Sequence, residues 1–228
     1  MMNIKLPSIS ERLELAASFV RSNSKLADIG TDHAHLPIYL IKRGRISSAI
    51  AADIAEGPLA RAEQNVRLHG LSGNIKTVLS DGLKNVMEHN PNDITICGMG
   101  GETIMQIISD CPAVKDPSIR LICQPQSVIP EFREFILREG FNIIDEGLCH
   151  DRGKFYVCIC AEFDGICREY SPVQLVLGQK NIEKSDKILS EYAKHVYNVL
   201  KKKRDGLKSA NLPYSEIDAL MSDVYNYI

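Results

Sequence analysis

No tryptophan occurs in this chain and only 6% of its residues are aromatic, so its core must be built mainly from aliphatic side chains. Positive charge is not in excess either. The formal net charge of −2 at pH 7 excludes a protein that is basic all over, and leaves any polyanionic partner to a local patch. No apolar run approaches the ~18 residues needed to cross a bilayer, and Met1-Met2-Asn3-Ile4-Lys5 lacks the apolar stretch of a secretory leader. A cytoplasmic chain with no membrane attachment is expected. The seven cysteines are an odd number without paired CxxC motifs, which supports neither a disulfide framework nor a zinc site. Buried reduced thiols are expected, and no metal. There is no internal repeat, no low-complexity tract and no G-x-G-x-x-G.

What is present begins with ample core material, 44% hydrophobic against 25% charged in 228 residues. That is enough for one good-sized domain and an appendage. Helical and strand patterns alternate. A helix is read over 10–21 with Ser10 as N-cap, then a strand from Lys25 to Gly30, a helix from Ala34 to Arg43 and a strand from Ser47 to Ile54. A helix from Pro58 to His69 leads to a strand from Ile75 to Leu79. Further strands run from Asp93 to Cys97 and from Ile119 to Cys123, each followed by a helix (Glu102 to Ser109, Pro130 to Glu139). Phe141 to Cys149 and Phe155 to Phe163 form a hairpin around Asp151-Arg152-Gly153-Lys154. This α/β arrangement predicts a seven-stranded, mostly parallel Rossmann-like sheet, the outline of class I S-adenosylmethionine methyltransferases. From residue 171 strand signals end. Two apolar stripes at helical spacing, broken at Asp205-Gly206 and Leu212-Pro213, predict a small C-terminal antiparallel helical hairpin, coiled-coil-like, over 171–228 after a catalytic domain over 1–170.

In a parallel sheet, ligands gather at the carboxyl ends of the strands. Those ends are Asp28-Gly30, Asp53-Ile54, Asp81-Gly82, Gly98-Met99-Gly100-Gly101 and Gln124-Pro125-Gln126, a run of acids, glycines and amides that packing alone does not require. The first turn carries Gly30 alone, with Thr31, Asp32 and His33 beside it. A carboxylate there repels the pyrophosphate of NAD or FAD and suits the cationic sulfonium or ammonium of S-adenosylmethionine. Asp53, 23 residues beyond Gly30, is placed to accept from ribose hydroxyls, and Asp81 from an adenine amine, with Gly82 allowing close approach. The glycine loop after the fourth strand has no Asp/Asn-Pro-Pro-aromatic sequence, the usual sign of methylation at exocyclic base amines. His33 is either a site contact or a capping or core histidine.

Leu26-Ala27-Asp28-Ile29-Gly30-Thr31-Asp32-His33-Ala34-His35-Leu36-Pro37, with Asp81-Gly82-Leu83, Gly98-Met99-Gly100-Gly101 and Gln124-Pro125-Gln126, resembles the bacterial tRNA (adenine-22-N1)-methyltransferases, as does the opening helix Ser10-Glu11-Arg12-Leu13. The family usually has Asn where this chain has Gln126, and many members have Glu at Asp53. The resemblance implies methyl transfer from S-adenosylmethionine to N1 of a tRNA adenine. It implies cofactor binding by Asp28, Gly30, Thr31, His33, Asp53, Ile54, Asp81, Gly82, Gly98 and Met99. Asp32 and Gln124 are the candidate catalytic contacts, and Arg12, Gly100, Gly101 and Gln126 the candidate substrate contacts. The tail fits an RNA clamp, since residues 172–228 hold nine Lys/Arg against seven Asp/Glu. Its densest basic cluster is Lys201, Lys202, Lys203 and Arg204. No obligatory protein partner is implied, and a monomer is expected. The rival readings are the same cofactor with another RNA, protein or small-molecule substrate, and a catalytically silent RNA-binding relative.

Overall fold

A computed structural model describes residues 8–228; Met1–Lys5 fall outside the described part. Seven strands, β1 (Lys25–Ile29), β2 (Ser48–Asp53), β3 (Ile75–Leu79), β4 (Asp93–Cys97), β5 (Arg120–Gln124), β6 (Phe141–Asp151) and β7 (Lys154–Phe163), form one sheet in the order β3-β2-β1-β4-β5-β7-β6. β1 to β5 are parallel and β7 runs antiparallel between β5 and β6. The hairpin turn at Arg152-Gly153 has both residues at positive φ, 49° and 80°, the type I′ geometry that matches strand twist. Because β1 is flanked by β2 on one side and β4 on the other, the connections leave it in opposite directions. The crevice between their carboxyl ends is the expected ligand position.

Helices cover both faces. On one side α1 (Glu11–Phe19), α2 (His35–Lys42) and α3 (Glu56–Leu68) close an aliphatic core around Leu26, Ile38, Ala51 and Ile122, which also holds Cys158 and Cys160. On the other, α4 (Gly101–Ser109) and α5 (Ile129–Arg138) bury Ile104, Ile108, Phe132 and Ile136 over Ile94 and Leu121. All seven cysteines are free thiols. Ser10 occupies the N-cap position of α1, but its hydroxyl makes no capping bond and is buried without a partner among the described residues. The start of α1 is instead tied down by Arg12, described below.

The tail departs in detail from two long helices. Its first part is two short helices, α6 (Pro172–Leu177) and α7 (Gln179–Lys184), broken at Gly178 with φ 90° and ended at Ser185 with φ 47°. Then α8 (Lys187–Ser209) runs through Asp205-Gly206 without a break. One glycine in a helix costs only about 1 kcal/mol, and the surrounding lysine-rich sequence and α9 outweigh it. α9 (Ser215–Tyr225) takes Tyr214 as its N-cap residue. α8 and α9 are antiparallel: Ser190 Oγ donates to Ile228 O, Tyr197 lies against Tyr225, and Arg204 approaches Asp218. Leu177, Leu189, Tyr192 and Val224 join the apolar core that holds Phe132 and Val157, so the tail is docked on the sheet layer. Its anchor is a buried ion pair. Arg133 of α5 and Glu146 of β6, both fully buried, meet at 2.6 Å; Arg133 Nη1 donates to Leu175 O and Lys180 N to Glu146 Oε2.

Candidate active site

The carboxyl ends of β1, β2 and β4, with the loop after β3 and one side of α4, enclose a cavity of about 610 Å3. Seven of the residues marked from sequence line it: Gly30, Asp53, Ile54, Asp81, Gly82, Gly98 and Met99. Asp53 ends β2. Its Oδ1 accepts from Ala55 N at 3.0 Å, which fixes the carboxylate and leaves its second oxygen for a ligand. Ile54 follows with 68% of its surface exposed, an aliphatic face open to the cavity. Gly30 sits at φ 70°, where a side chain is strained, and a Cβ there would lie 2.3 Å from Met99 Cε and push that movable methyl aside.

Among the described residues the cavity contains four carboxylates, Asp53, Asp81, Glu102 and Asp110, and a single cation, Lys84, which is bonded to Asp81 at 2.5 Å. This balance repels a pyrophosphate and accommodates a cationic ligand. Cys97 and Cys111 also line it. Burial pushes both thiols up, aided at Cys97 by the nearby Asp28, so neither offers a thiolate nucleophile at neutral pH. Glu102, Gln106 and Asp110 went unmarked in the sequence. They recur every four residues along α4, a spacing that puts them on one helix face and that would have pointed to them.

Other candidates lie off the cavity. Asp28 is 6% exposed; its two carboxylate oxygens accept from Thr31 Oγ1 and Thr95 Oγ1 at 2.7 Å each. Thr31 is therefore spent on Asp28. Burial raises the Asp28 carboxyl to about 6, against those hydrogen bonds and the nearby Arg12, which lower it. Asp32, at φ 50°, faces α3, where Arg61 Nη2 donates to its Oδ1 at 3.3 Å. His33 stacks on His35 with centroids 5.3 Å apart, and its carbonyl accepts from Asn65 Nδ2. Burial, then the neighbouring His33, lowers His35.

Gln124 is wholly buried and bound twice to α1: Arg12 Nη1 donates to its Oε1 at 3.2 Å, and its Nε2 donates to Arg12 O at 2.9 Å. Its amide is thus committed to holding the opening helix. Arg12 also lies over the Tyr156 ring, 5.8 Å from its centroid. A Cβ on Gly98 would come 3.7 Å from Arg12 Nη1 and 3.8 Å from Gln126 Nε2, so these two polar groups converge at the cavity's edge. Gly100 and Gly101 face the chain itself. A Cβ on Gly101 would stand 2.5 Å from Ser127 O, and Gly101 N donates to Ser127 Oγ. The glycine run thus lets the β4–α4 and β5–α5 loops touch. Lys201, Lys202 and Lys203 are exposed on α8 with no ion-pair partner among the described residues, whereas Arg204 is paired with Asp205 at 2.7 Å.

A methyltransferase-domain family model matches residues 9–159. The tRNA (adenine(22)-N(1))-methyltransferase of Bacillus subtilis is 34% identical over 170 residues, 75% of this chain and 71% of that protein. A Streptococcus pneumoniae protein solved in complex with S-adenosyl-L-methionine has a TM-score of 0.84 at 31% identity, covering 96% of this chain and 99% of its own. M. capricolum TrmK, solved with the natural cofactor product S-adenosyl-homocysteine, has a TM-score of 0.80 at 27% identity, covering 96% and 97%.

Proposed function

The chain belongs to the tRNA (adenine(22)-N(1))-methyltransferase family, and from that premise we propose that it methylates N1 of adenine 22 in tRNA, as a cytoplasmic monomer, using S-adenosyl-L-methionine. The observation that carries the cofactor is the acidic, partly apolar cavity at the β1/β4 crossover, which fits an adenosine bearing a cation and not a dinucleotide. Asp53 holds the ribose hydroxyls through its free oxygen, Ile54 covers the flat adenine, and the Asp81-Gly82 turn borders its edge. Gly30 and Gly98 let the backbone approach the reacting end. When bound, the cofactor supplies an electrophilic methyl group on a positively charged sulfur.

Adenine N1 carries its lone pair in the ring plane, so no side chain has to take a proton from it before transfer. The protein's task is positioning and the exclusion of water. Arg12 and Gln126, converging beside Gly98, are the groups that orient the incoming base, and Gln124 positions Arg12. The target adenine leaves its stack to reach them, while Lys201 to Lys203 of α8 grip phosphates without reading sequence. The test is incubation of the purified chain with labelled S-adenosyl-L-methionine and unmodified tRNA transcripts. Label in the tRNA is expected. Tight cofactor binding by calorimetry without transfer to any tRNA would send the reading to another substrate, and no cofactor binding would remove methyl transfer altogether.

A further inference from the structure

Beside the cavity, between the β5–α5 loop and α8, runs a separate groove of about 320 Å3, large enough for a planar base. Val128 forms one wall, Val199 and Leu200 the other, with Phe155, Tyr192 and His195 between. The Phe155 ring is 5.4 Å from His195 and 5.6 Å from Tyr192, centroid to centroid. His195 is exposed, and Val199 shows 53% of its surface to solvent. Val128 sits at φ 45°, a left-handed conformation that a β-branched residue adopts only when its surroundings impose it. The glycine loop makes room for its side chain, since a Cβ on Gly101 would stand 2.9 Å from Val128 Cγ2.

The groove is continuous with the active site at one end and with the basic helix at the other. Gln126 borders both it and Gly98, and Gln126 N donates to Met99 O at 2.9 Å. Lys202 and Lys203 lie three and four residues beyond Val199, hence on the same face of α8. We propose that this groove receives a second unpaired base of the RNA, stacked against His195 and Phe155, while its phosphates meet Lys202 and Lys203. The proposal rests on RNA being the substrate. Aromatic and aliphatic walls suit the face of any base, and lysines at the rim suit its backbone. A second copy of this chain would bring its own lysines against the same rim, and like charges would oppose the contact.

The test uses full-length His195→Ala and Val199→Asn, both at exposed positions, with an unmodified tRNA transcript. Each is expected to raise the KM for tRNA about tenfold, within the range of one stacked base, with cofactor affinity by calorimetry unchanged. The salt dependence of KM should stay as it was in His195→Ala, while Lys202→Ala should reduce that slope by about one. An unchanged KM in both groove variants would overturn the proposal. So would light scattering that shows a dimer dissociated by Val199→Asn, which would make the groove a self-contact. If the unsubstituted chain transfers no methyl group to tRNA, the RNA reading fails first and this proposal with it.

Discussion

Asp28 brings a carboxylate into the core at the end of β1, where burial raises it to about 6 from 3.8. The folded state therefore holds this proton more tightly than the unfolded chain. Its stabilising effect is full below pH 4 and disappears as the pH rises through 6. The free energy of unfolding of the natural chain should fall by roughly 2 kcal/mol relative to that of Asp28→Asn between pH 4 and pH 7. Urea titrations at several pH values check this, and parallel curves for the two proteins would refute the burial argument. Asp53 makes a different prediction. With one oxygen on Ala55 N and the other free, Asp53→Ala should weaken S-adenosyl-L-methionine at least tenfold in calorimetry, as expected for hydrogen bonds to a charged acceptor. Asp53 and Gly30 were legible as strand ends in an alternating β/α order. The partners of Asp32 and Gln124 were not, because Arg61 and Arg12 lie 29 and 112 positions away in sequence. Periodicity carries no information about such pairs.

At the scale of elements, one buried ion pair fixes the tail to the sheet. Arg133 and Glu146 meet inside the protein, and Gly178 leaves space beside them, since a Cβ there would be 2.6 Å from Glu146 Oε2. Removing one partner of such a pair strands the other charge. Glu146→Ala should lower stability by about 3–5 kcal/mol, read as the denaturation midpoint, and should raise the KM for tRNA through a loosened α8. The loop contact at Gly101 is steric. Gly101→Ala sets a methyl group against Ser127 O and should cost about 1–3 kcal/mol. Strand positions were readable because their apolar runs are separated by turn residues. The helical tail was less so: its stripe continues across Gly178 and Ser185, whose positive φ angles bend the chain where no proline marks a break. Conversely Asp205-Gly206 looks like a break and is held helical by the packing of α8 on α9.

The whole molecule divides its charge. A cavity with four carboxylates and one paired lysine lies on the sheet, and an exposed row of lysines lies on α8. Lys187, Lys194, Lys201 and Lys208 recur every seven residues and are all exposed, so they form one stripe along the helix. Substituting Lys201, Lys202 and Lys203 together by alanine should reduce the salt slope of tRNA binding by roughly 2–3 and leave cofactor affinity unchanged. On the function proposed above, the cavity serves the methyl donor and the lysine row the RNA. The most direct measurement is nucleoside mass spectrometry of tRNA after reaction with isotopically labelled S-adenosyl-L-methionine, with reverse transcription to locate the product. The label should appear as 1-methyladenosine at position 22. Label in N6-methyladenosine, in another nucleoside, or at another adenine would contradict the assignment.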